Sequence, residues 1–337
     1  MASTTLSSWA LLVWEELQQR DLNAREIFLA AGLDPARLQD PNARFPIDGM
    51  QRLWRLAEEH SGDPAFGIAA GLRWNPTTFH ALGYAWLASS TLAQAFHRLV
   101  RYGRLINDGS EFTLTSIGLQ YQFSGGLKNP LPNPALAVQQ ALVVALIKMC
   151  RMLLGESFSP AEVQFSFAPN AATLLLETTL RAPLRFGCDH FAMLIDRQDM
   201  ERVLPTGNPE LIRCNEQIVL KHLSQLDQQH LAIQVQQRIL EGLPSGRVKE
   251  DDIANALHLS TRTLQRRLLE EGVNFGELLQ STRRELAQNY IDDSQLSVSE
   301  IAYLLGFSDQ ANFTRAFRRW FGVTPSGWRT RKLAATA

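Results

Sequence analysis

The stretch from Ile301 to Arg329 constrains the fold most, because it predicts two short helices joined by a tight turn. Apolar residues at positions 301, 302, 304 and 305 give the first helix one apolar face. Gly306 then allows the left-handed or crowded backbone that a turn requires. In the second helix Phe313 and Phe317, followed by further aromatic residues, recur every three or four positions and so share one buried stripe.

The ends of this second helix are marked by residues with known positional preferences. Ser308 or Asp309 is predicted to cap its beginning, because a short oxygen-bearing side chain accepts hydrogen bonds from free helical N–H groups. Gly322 is predicted to end it, and Pro325 to block its resumption. The exposed side then carries amide, hydroxyl and guanidinium groups, which are the groups that contact base edges and phosphates.

A second copy of the pattern lies upstream, from Ile253 to Gly272. Leu264 and Leu268 correspond to the two buried phenylalanines, and the copy is one residue shorter between its serine and the first buried position. The segment from Phe275 to Ile291 forms a helical connector between the copies. Two such helix-turn-helix modules on one connector would enter successive major-groove segments about 34 Å apart. Because the two helices differ in sequence, we expect an asymmetric DNA site.

The charge of the chain is balanced overall, with 33 basic and 34 acidic residues among 337, but its distribution is uneven. From Gln310 onward the charged residues are all basic, so this tip is predicted to be a positive patch. They are Arg315, Arg318, Arg319, Arg329, Arg331 and Lys332.

The compartment is predicted from the cysteines and the apolar runs. Three widely spaced cysteines favour a reducing compartment over a disulfide framework or a zinc cluster. The N-terminus has no secretory-signal pattern, and the apolar run from Ala135 to Cys150 is interrupted by polar residues and looks too short for a membrane span. We therefore expect a soluble, cytoplasmic protein without a membrane partner.

The first two hundred residues predict an α+β domain. Helical patterns come first, and the period then changes in Glu111 to Phe123, which predicts two short strands joined by a turn. A loop from Gly125 to Pro134 precedes an apolar helix that ends at Leu154, and strand and helix patterns then alternate. We expect an α+β domain over residues 1–205, a linker helix over 206–230, with the preferred boundary at 227–230, and an all-α domain over 231–337. Its modules are expected at about 250–272 and 298–322, joined by a connector at about 275–291.

The C-terminal residues closely resemble the signature of the AraC/XylS transcription regulators, over about the last hundred residues. The positions that carry this resemblance are Ile301-Ala302, Gly306-Phe307, Phe313, Arg315, Phe317-Arg318, Gly322, Thr324-Pro325 and Trp328-Arg329. The connector, with Arg283 and Ala287, is also similar to that family. Less specifically, the first two hundred residues resemble the larger effector-binding and dimerisation domain of ornithine-utilisation and virulence regulators, and not the short cupin domain of the arabinose regulator.

The resemblance implies DNA contacts by residues on the outward side of each second helix. Base contacts are expected from Arg262, Gln265 and Arg266 in the first module, and from Gln310, Asn312 and Arg315 in the second. Phosphate contacts are expected from Arg318, Arg319 and Arg329.

Each of these assignments has a plainer alternative. The polar residues are otherwise solvated helix residues, and Arg315 could instead pair with Asp309. The aromatic residues at helical spacing predict core packing rather than base stacking. His80, His97 and His190, with Asp189 beside the last, lack any catalytic or metal-binding motif, so we expect no catalytic site, metal or cofactor.

The sequence thus predicts a DNA-binding transcription regulator that binds promoter DNA and is not an enzyme. Activation is the commoner outcome in the family that it resembles, with RNA polymerase as a partner in that case, and the sequence leaves repression open. The resemblance also implies a homodimer formed through the N-terminal domain and a response there to a small molecule. Two alternatives stay open. One is a constitutive DNA-binding regulator controlled by its abundance or by a protein partner. The other is a ligand sensor or enzyme in which DNA binding is secondary.

Overall fold

The computed structural model describes residues 3–129, 134–226, 231–246, 248–291 and 296–336 of the chain. Contacts divide the chain into two compact units, Met1–Asn208 and Pro209–Ala337. The first unit mixes helices and strands, whereas the described residues of the second unit form helices and turns without a strand. The predicted α+β domain followed by an all-α domain is confirmed.

In the first unit a run of helices precedes most of the sheet. Its elements are β1 (Thr4–Leu6), α1 (Ser7–Gln19), α2 (Ala24–Ala30), β2 (Arg44–Pro46), α3 (Ile47–Ser61), α4 (Phe66–Leu72), α5 (His80–Leu87), α6 (Leu92–Tyr102), β3 (Ser110–Ile117), β4 (Gln120–Leu127), α7 (Leu136–Leu154), β5 (Glu162–Gln164), α8 (Thr173–Leu180), β6 (Leu184–Arg185), β7 (Phe191–Asp196) and α9 (Arg197–Glu201). Short 3-10 helices lie at Pro35–Gln39, Pro76–Phe79 and Gly103–Leu105.

The main sheet has the strand order β3-β4-β7-β5-β6, and β1 pairs with β2 in a separate two-stranded sheet. Strands β3 and β4 form the predicted hairpin, which turns at Gly118 with φ 57°. The loop predicted to begin at Gly125 is wrong at its start, because β4 continues to Leu127. Gly125 suits this strand because a Cβ there would lie 2.4 Å from the ring of Phe112, its cross-strand neighbour. Residues 130–133 of that predicted loop lie outside the described residues.

Helix α7 is largely buried in the first unit and packs against α4. Gly67 and Gly71 of α4 let the two helices approach closely, since a Cβ at Gly67 would lie 2.3 Å from the carbonyl oxygen of Ala137. The run from Ala135 to Cys150 looked too short for a membrane span, but α7 continues to Leu154. An 18-residue segment of this 19-residue helix has a mean hydropathy of 1.6, so its length and composition alone would suit a membrane span. However, 61% of this apolar segment of α7 is buried inside the protein, as in the core helix of a folded domain.

The described part of the second unit consists of helices and short turns. The helices are α10 (Pro209–Leu226), α11 (Leu231–Gly242), α12 (Glu250–Ala256), α13 (Thr261–Glu270), α14 (Phe275–Ile291), α15 (Val298–Leu304), α16 (Gln310–Phe321) and α17 (Pro325–Thr336), with a 3-10 helix at Leu243–Ser245.

Two features of the second unit differ from the sequence expectation. Helix α10 packs against α11 and groups with the second unit, although we expected a separate linker helix. The preferred boundary at 227–230 lies outside the described residues. Pro325 begins α17 rather than blocking a helix, because a proline in the first helical turn has no N–H to leave unpaired and its fixed φ suits a helix.

Candidate nucleic-acid interface

The first module consists of α12, a four-residue turn and α13. His258 in the turn has a left-handed backbone with φ 56°, and Ser260 caps α13 by accepting a hydrogen bond from the backbone N–H of Thr263 (3.2 Å). Leu264 and Leu268 are fully buried on the side of α13 that faces the unit. The opposite side of α13 is therefore left exposed.

The second module repeats this arrangement with α15 and α16. Gly306 takes the left-handed position with φ 65°, and Asp309 is the cap, accepting a hydrogen bond from the backbone N–H of Asn312 (2.7 Å). Phe313 and Phe317 are fully buried, which confirms that they belong to the core. Trp320 and Trp328 are half-buried, and the ring of Trp328 meets Phe317 edge-on at 5.9 Å between centroids.

The turn of the second module is one residue longer, so its cap is Asp309 and not Ser308. Counted from the two caps, Arg266 and Arg315 occupy the same position, whereas Arg262 corresponds to Ala311. Gln265 corresponds to Thr314, which we did not predict as a site residue. The signal that identifies Thr314 was present in the sequence, since the alignment of Leu264 with Phe313 places Gln265 opposite Thr314, and the caps give the same alignment.

In α13 the predicted base-reading side chains are exposed and lie among carboxylates. Arg262 is exposed, the Gln265 side-chain amide donates to a Glu250 carboxylate oxygen (3.2 Å), and Arg266 pairs with Glu270 (2.5 Å). Both side chains of the Arg266–Glu270 pair are more than half exposed, at 62% and 58%. An exposed pair of this kind contributes about 0–1 kcal/mol, so DNA can replace Glu270 as the partner of Arg266 at little cost.

In α16 the predicted residues are joined through hydroxyl and amide groups. The Ser299 hydroxyl donates to the side-chain carbonyl of Gln310 (2.6 Å). The Asn312 amide donates to a carboxylate oxygen of Asp309 (2.6 Å), and its carbonyl accepts from the guanidinium of Arg315 (2.5 Å). Asn312 thus lies between Arg315 and Asp309, where the alternative had placed a direct ion pair. Hydrogen bonding, first from the backbone N–H of Asn312, lowers the pKa of Asp309.

The residues expected at phosphates divide into two groups. Arg318 and Arg319 are exposed in the last turn of α16, and Arg319 donates to the Gln280 side chain (3.0 Å). Arg329 is half-buried, and its guanidinium donates to the carbonyl oxygens of Ile291 (2.9 Å) and Leu296 (2.7 Å). Arg329 therefore joins the end of the connector α14 to the segment before α15. We had expected it to contact a phosphate, and the structure gives it this structural role.

Arg283 of the connector has a structural role that sequence reasoning missed. Its guanidinium donates to the carbonyl oxygens of Leu305 and Gly306, both at 2.9 Å, and lies 4.6 Å from the centre of the Phe307 ring. Burial of the guanidinium lowers its pKa. Arg283 thereby fixes the turn of the second module to the connector. In the sequence it is one of two adjacent arginines on α14, and its acceptors lie 22 and 23 residues away.

The first unit contains a cavity of about 300 Å³ between α7 and the β3–β4 end of the main sheet. Aromatic side chains form much of its wall, from Trp9, Phe79, Phe112 and Phe191. Asp189 and His190 lie at its exposed edge. Within the described ranges there is no cluster of three or more His, Cys, Asp or Glu side chains arranged to hold a metal ion.

Comparisons with known proteins agree with this architecture. A family profile described as "Arabinose-binding domain of AraC transcription regulator, N-term" matches residues 22–204, and one described as "Helix-turn-helix domain" matches residues 253–331. The chain is 29% identical over 308 residues to the ornithine utilization regulator of Pseudomonas aeruginosa, which covers 91% of each chain. It is 30% identical over 313 residues to the HTH-type transcriptional regulator VirS of Mycobacterium tuberculosis, which covers 88% of each.

A solved structure shows the same fold. The crystal structure of the transcriptional regulator CdpR from Pseudomonas aeruginosa matches with a TM-score of 0.51 and 19% identity, over 95% of this chain and 98% of that one. The families and relatives are transcription regulators rather than enzymes. The chain therefore belongs to the AraC family of DNA-binding transcription regulators and carries an N-terminal domain of the ligand-binding type.

Proposed function

We propose that the protein binds an asymmetric promoter site by placing α13 and α16 in two successive major-groove segments. The observation that carries this proposal is the repeated geometry of the two modules. Each has a capped helix with a buried apolar pair on one side and an exposed arginine at the same position on the other, Arg266 or Arg315. Arginine gives two parallel hydrogen bonds to guanine, which makes these two residues the proposed base readers of highest specificity.

The remaining contacts are divided by the chemistry of the side chains. We propose that Gln265 and Gln310 read adenine or neighbouring base edges, that Arg262 contacts a base or a phosphate, and that Arg318 and Arg319 bind phosphates. Asn312 acts mainly by orienting Arg315, since its amide and carbonyl both have partners within α16 and its cap.

Footprinting and operator mutagenesis with the full-length protein test this proposal. We expect two protected segments per chain, one helical turn apart, with unrelated sequences in the two segments. A single protected segment per chain, or a palindrome whose halves are each read by one module, would contradict it.

We also propose that a small molecule controls the protein through the first unit and that the regulated outcome is activation with RNA polymerase. The cavity beside α7 supports control by a ligand, because the alternative of a constitutive regulator predicts a first domain without one. The matching N-terminal profile is named for arabinose and one relative for ornithine utilization, so these two compounds are the first to test. Genome-wide mapping of bound sites with and without candidate metabolites, together with transcript levels, tests both control and its sign.

A homodimer formed through residues 1–205 is the assembly that we propose. It is supported by exposed apolar side chains on the first unit, including Leu174 (72% exposed) and Leu175 (50%) on α8. Sedimentation of the full-length protein and of its Leu174→Asp variant tests this interface, and an unchanged dimer in the variant would count against it. Because promoter DNA and RNA polymerase are cytoplasmic in bacteria, we place the protein there.

A further inference from the structure

We propose that the cavity beside α7 binds a compact, uncharged and largely apolar molecule, aliphatic or aromatic, rather than a sugar or an amino acid. The inference rests on the proposed control by a small molecule and specifies the chemistry of that ligand. Three properties of the cavity wall carry it: its apolar surface, the pairing of its polar groups, and the charges present at its edge.

The wall is built mainly from rings and aliphatic side chains. Trp9 and Phe79 stack at 5.8 Å between ring centroids, and both line the cavity. Val138 and Leu142 lie one turn apart on α7 and are only half-buried by protein atoms, so their side chains remain open to the cavity. Burial of a ligand's apolar surface there stabilises the complex by about 25 cal/mol per Å² of surface removed from water.

Several polar side chains of the wall have partners inside the protein. The Thr5 hydroxyl donates to the carbonyl of Ile106 (2.9 Å), and the Gln51 side-chain oxygen accepts from the backbone N–H of Ala135 (2.7 Å). Gln139 is hydrogen-bonded to Ser166 through both ends of its amide. A sugar would have to place hydroxyl groups against rings and aliphatic side chains, and each buried hydroxyl group left without a partner would cost about 1–3 kcal/mol.

The charges at the cavity favour a neutral ligand. Among the described lining residues there is no lysine or arginine to pair with a carboxylate. Asp189 and His190, the ionisable lining residues, are both exposed at the edge. A ligand carboxylate would therefore lose its hydration without a lysine or arginine to pair with, and Asp189 would repel it.

Displacement of a neutral fluorescent probe, N-phenyl-1-naphthylamine, from the full-length protein tests the inference. We expect the emission of the probe to rise on binding and to fall again when 1-octanol is added. Sodium octanoate, which has the same chain with a carboxylate, should require at least about tenfold higher concentration, since each tenfold step corresponds to only about 1.4 kcal/mol. L-arabinose and L-ornithine should not displace the probe.

Two variants locate the binding. Leu142→Trp and Val138→Phe place a ring into the cavity from adjacent turns of α7 and should reduce binding of the probe and of 1-octanol at least about tenfold. Leu29→Trp, which adds the same ring at an exposed position on α2 outside the cavity wall and outside the proposed dimer interface on α8, is the matched control and should bind as the wild type does. Circular dichroism and retained promoter binding establish that each variant is folded.

The results separate the ligand class from the proposed control. Displacement by arabinose or ornithine, or unchanged octanol binding in a folded Leu142→Trp variant, would overturn the inference about the ligand. If octanol binds in the cavity and the occupied protein still binds and activates its promoter unchanged, the ligand class stands and control through this cavity is rejected.

Discussion

In the first module a histidine, His258, occupies the left-handed position of the turn, whereas in the second module a glycine, Gly306, occupies it. The side chain of His258 is exposed. At Gly306 an added Cβ would lie 2.9 Å from the carbonyl oxygen of Leu243, and Arg283 holds the same turn through two hydrogen bonds. One turn therefore faces solvent and the other is packed into the unit, although both adopt the same backbone conformation.

The surroundings of the recognition side chains differ in a parallel way. In the first module Gln265 and Arg266 are hydrogen-bonded to the carboxylates of Glu250 and Glu270. In the second module the partners of Gln310 and Arg315 are a hydroxyl and an amide. Under the proposed mode of binding, DNA displaces acidic neighbours in the first module, whereas the second presents an arginine that its own helix already orients.

The largest expected effect is on the packed turn. Gly306→Ala should lower the free energy of unfolding by about 3 kcal/mol, because a left-handed backbone and a close backbone contact both disfavour a Cβ. His258→Gly, the matched change in the first module, should leave stability the same or raise it slightly. Denaturant unfolding followed by circular dichroism measures both, and equal stability of Gly306→Ala and the wild type would contradict the comparison.

Arg283→Ala should cost about 2 kcal/mol of stability, since it removes two charge-assisted hydrogen bonds to backbone carbonyls. Arg283→Lys should recover only part of the loss, because an ammonium group lacks the planar fork of a guanidinium. Arg284→Ala is the neighbouring control: its guanidinium lies 5.5 Å from the Phe321 ring, an exposed contact worth about 0.5–1 kcal/mol. A larger loss for Arg284→Ala than for Arg283→Ala would refute the assigned role.

Arg315→Ala and Gln265→Ala should each weaken binding to the cognate promoter by about 1–3 kcal/mol while leaving the fold intact. The loss should be larger for Arg315, because Gln265 must first release Glu250. Gel-shift titrations with cognate and scrambled duplexes measure it, with the surface variant Arg238→Ala as a control outside both modules. Normal binding by the folded double variant would defeat the assignment.

Arg318→Ala and Arg319→Ala should weaken binding to all sequences alike and reduce the slope of log affinity against log salt by about 1 each. Arg329→Ala should instead lower stability, because its guanidinium bonds to two backbone carbonyls. Titrations at several salt concentrations, paired with unfolding curves, distinguish the two outcomes. If Arg329→Ala changes the salt slope and leaves stability unchanged, Arg329 contacts DNA phosphates as Arg318 and Arg319 are proposed to do.

The smallest expected effect is a loss of stability of α16 at acidic pH. The hydrogen bonds of Asp309 lower its pKa in the folded state, so its stabilising contribution is complete above its unfolded pKa, about 4, and is lost as the pH falls through the folded pKa. Ser260, the cap of the first module, does not titrate in this range. Hydrogen exchange should show α16 losing more protection than α13 on acidification, and Asp309→Ser should remove that difference.

Much of the second unit was predictable because its determinants are local. The caps, the turn glycine and the apolar spacing of Phe313 and Phe317 all lie within a few residues of what they organise. Because the same pattern occurs twice in the chain, each copy supported the prediction of the other. In the first unit the β3–β4 hairpin and α7 were equally visible, because each is a continuous segment with a clear period.

Features formed by distant residues were not predictable in the same way. Strands β1 and β2 pair although about forty residues of chain separate them. Each has three residues, which is too few for an alternating pattern to indicate a strand. The role of Arg329 depends on carbonyl groups 33 and 38 residues away. The cavity brings together side chains from both ends of the first unit, such as Trp9 and Phe191.

The sequence by itself determined that this chain carries two helix-turn-helix modules and which helix in each faces outward, since periodicity and capping are properties of consecutive residues. Only the tertiary structure decided which arginines remain available for DNA and which hold backbone carbonyls, because an arginine has the same sequence signal in either role. It also decided which residue caps α16, because the sequence left both Ser308 and Asp309 open and the structure uses Asp309.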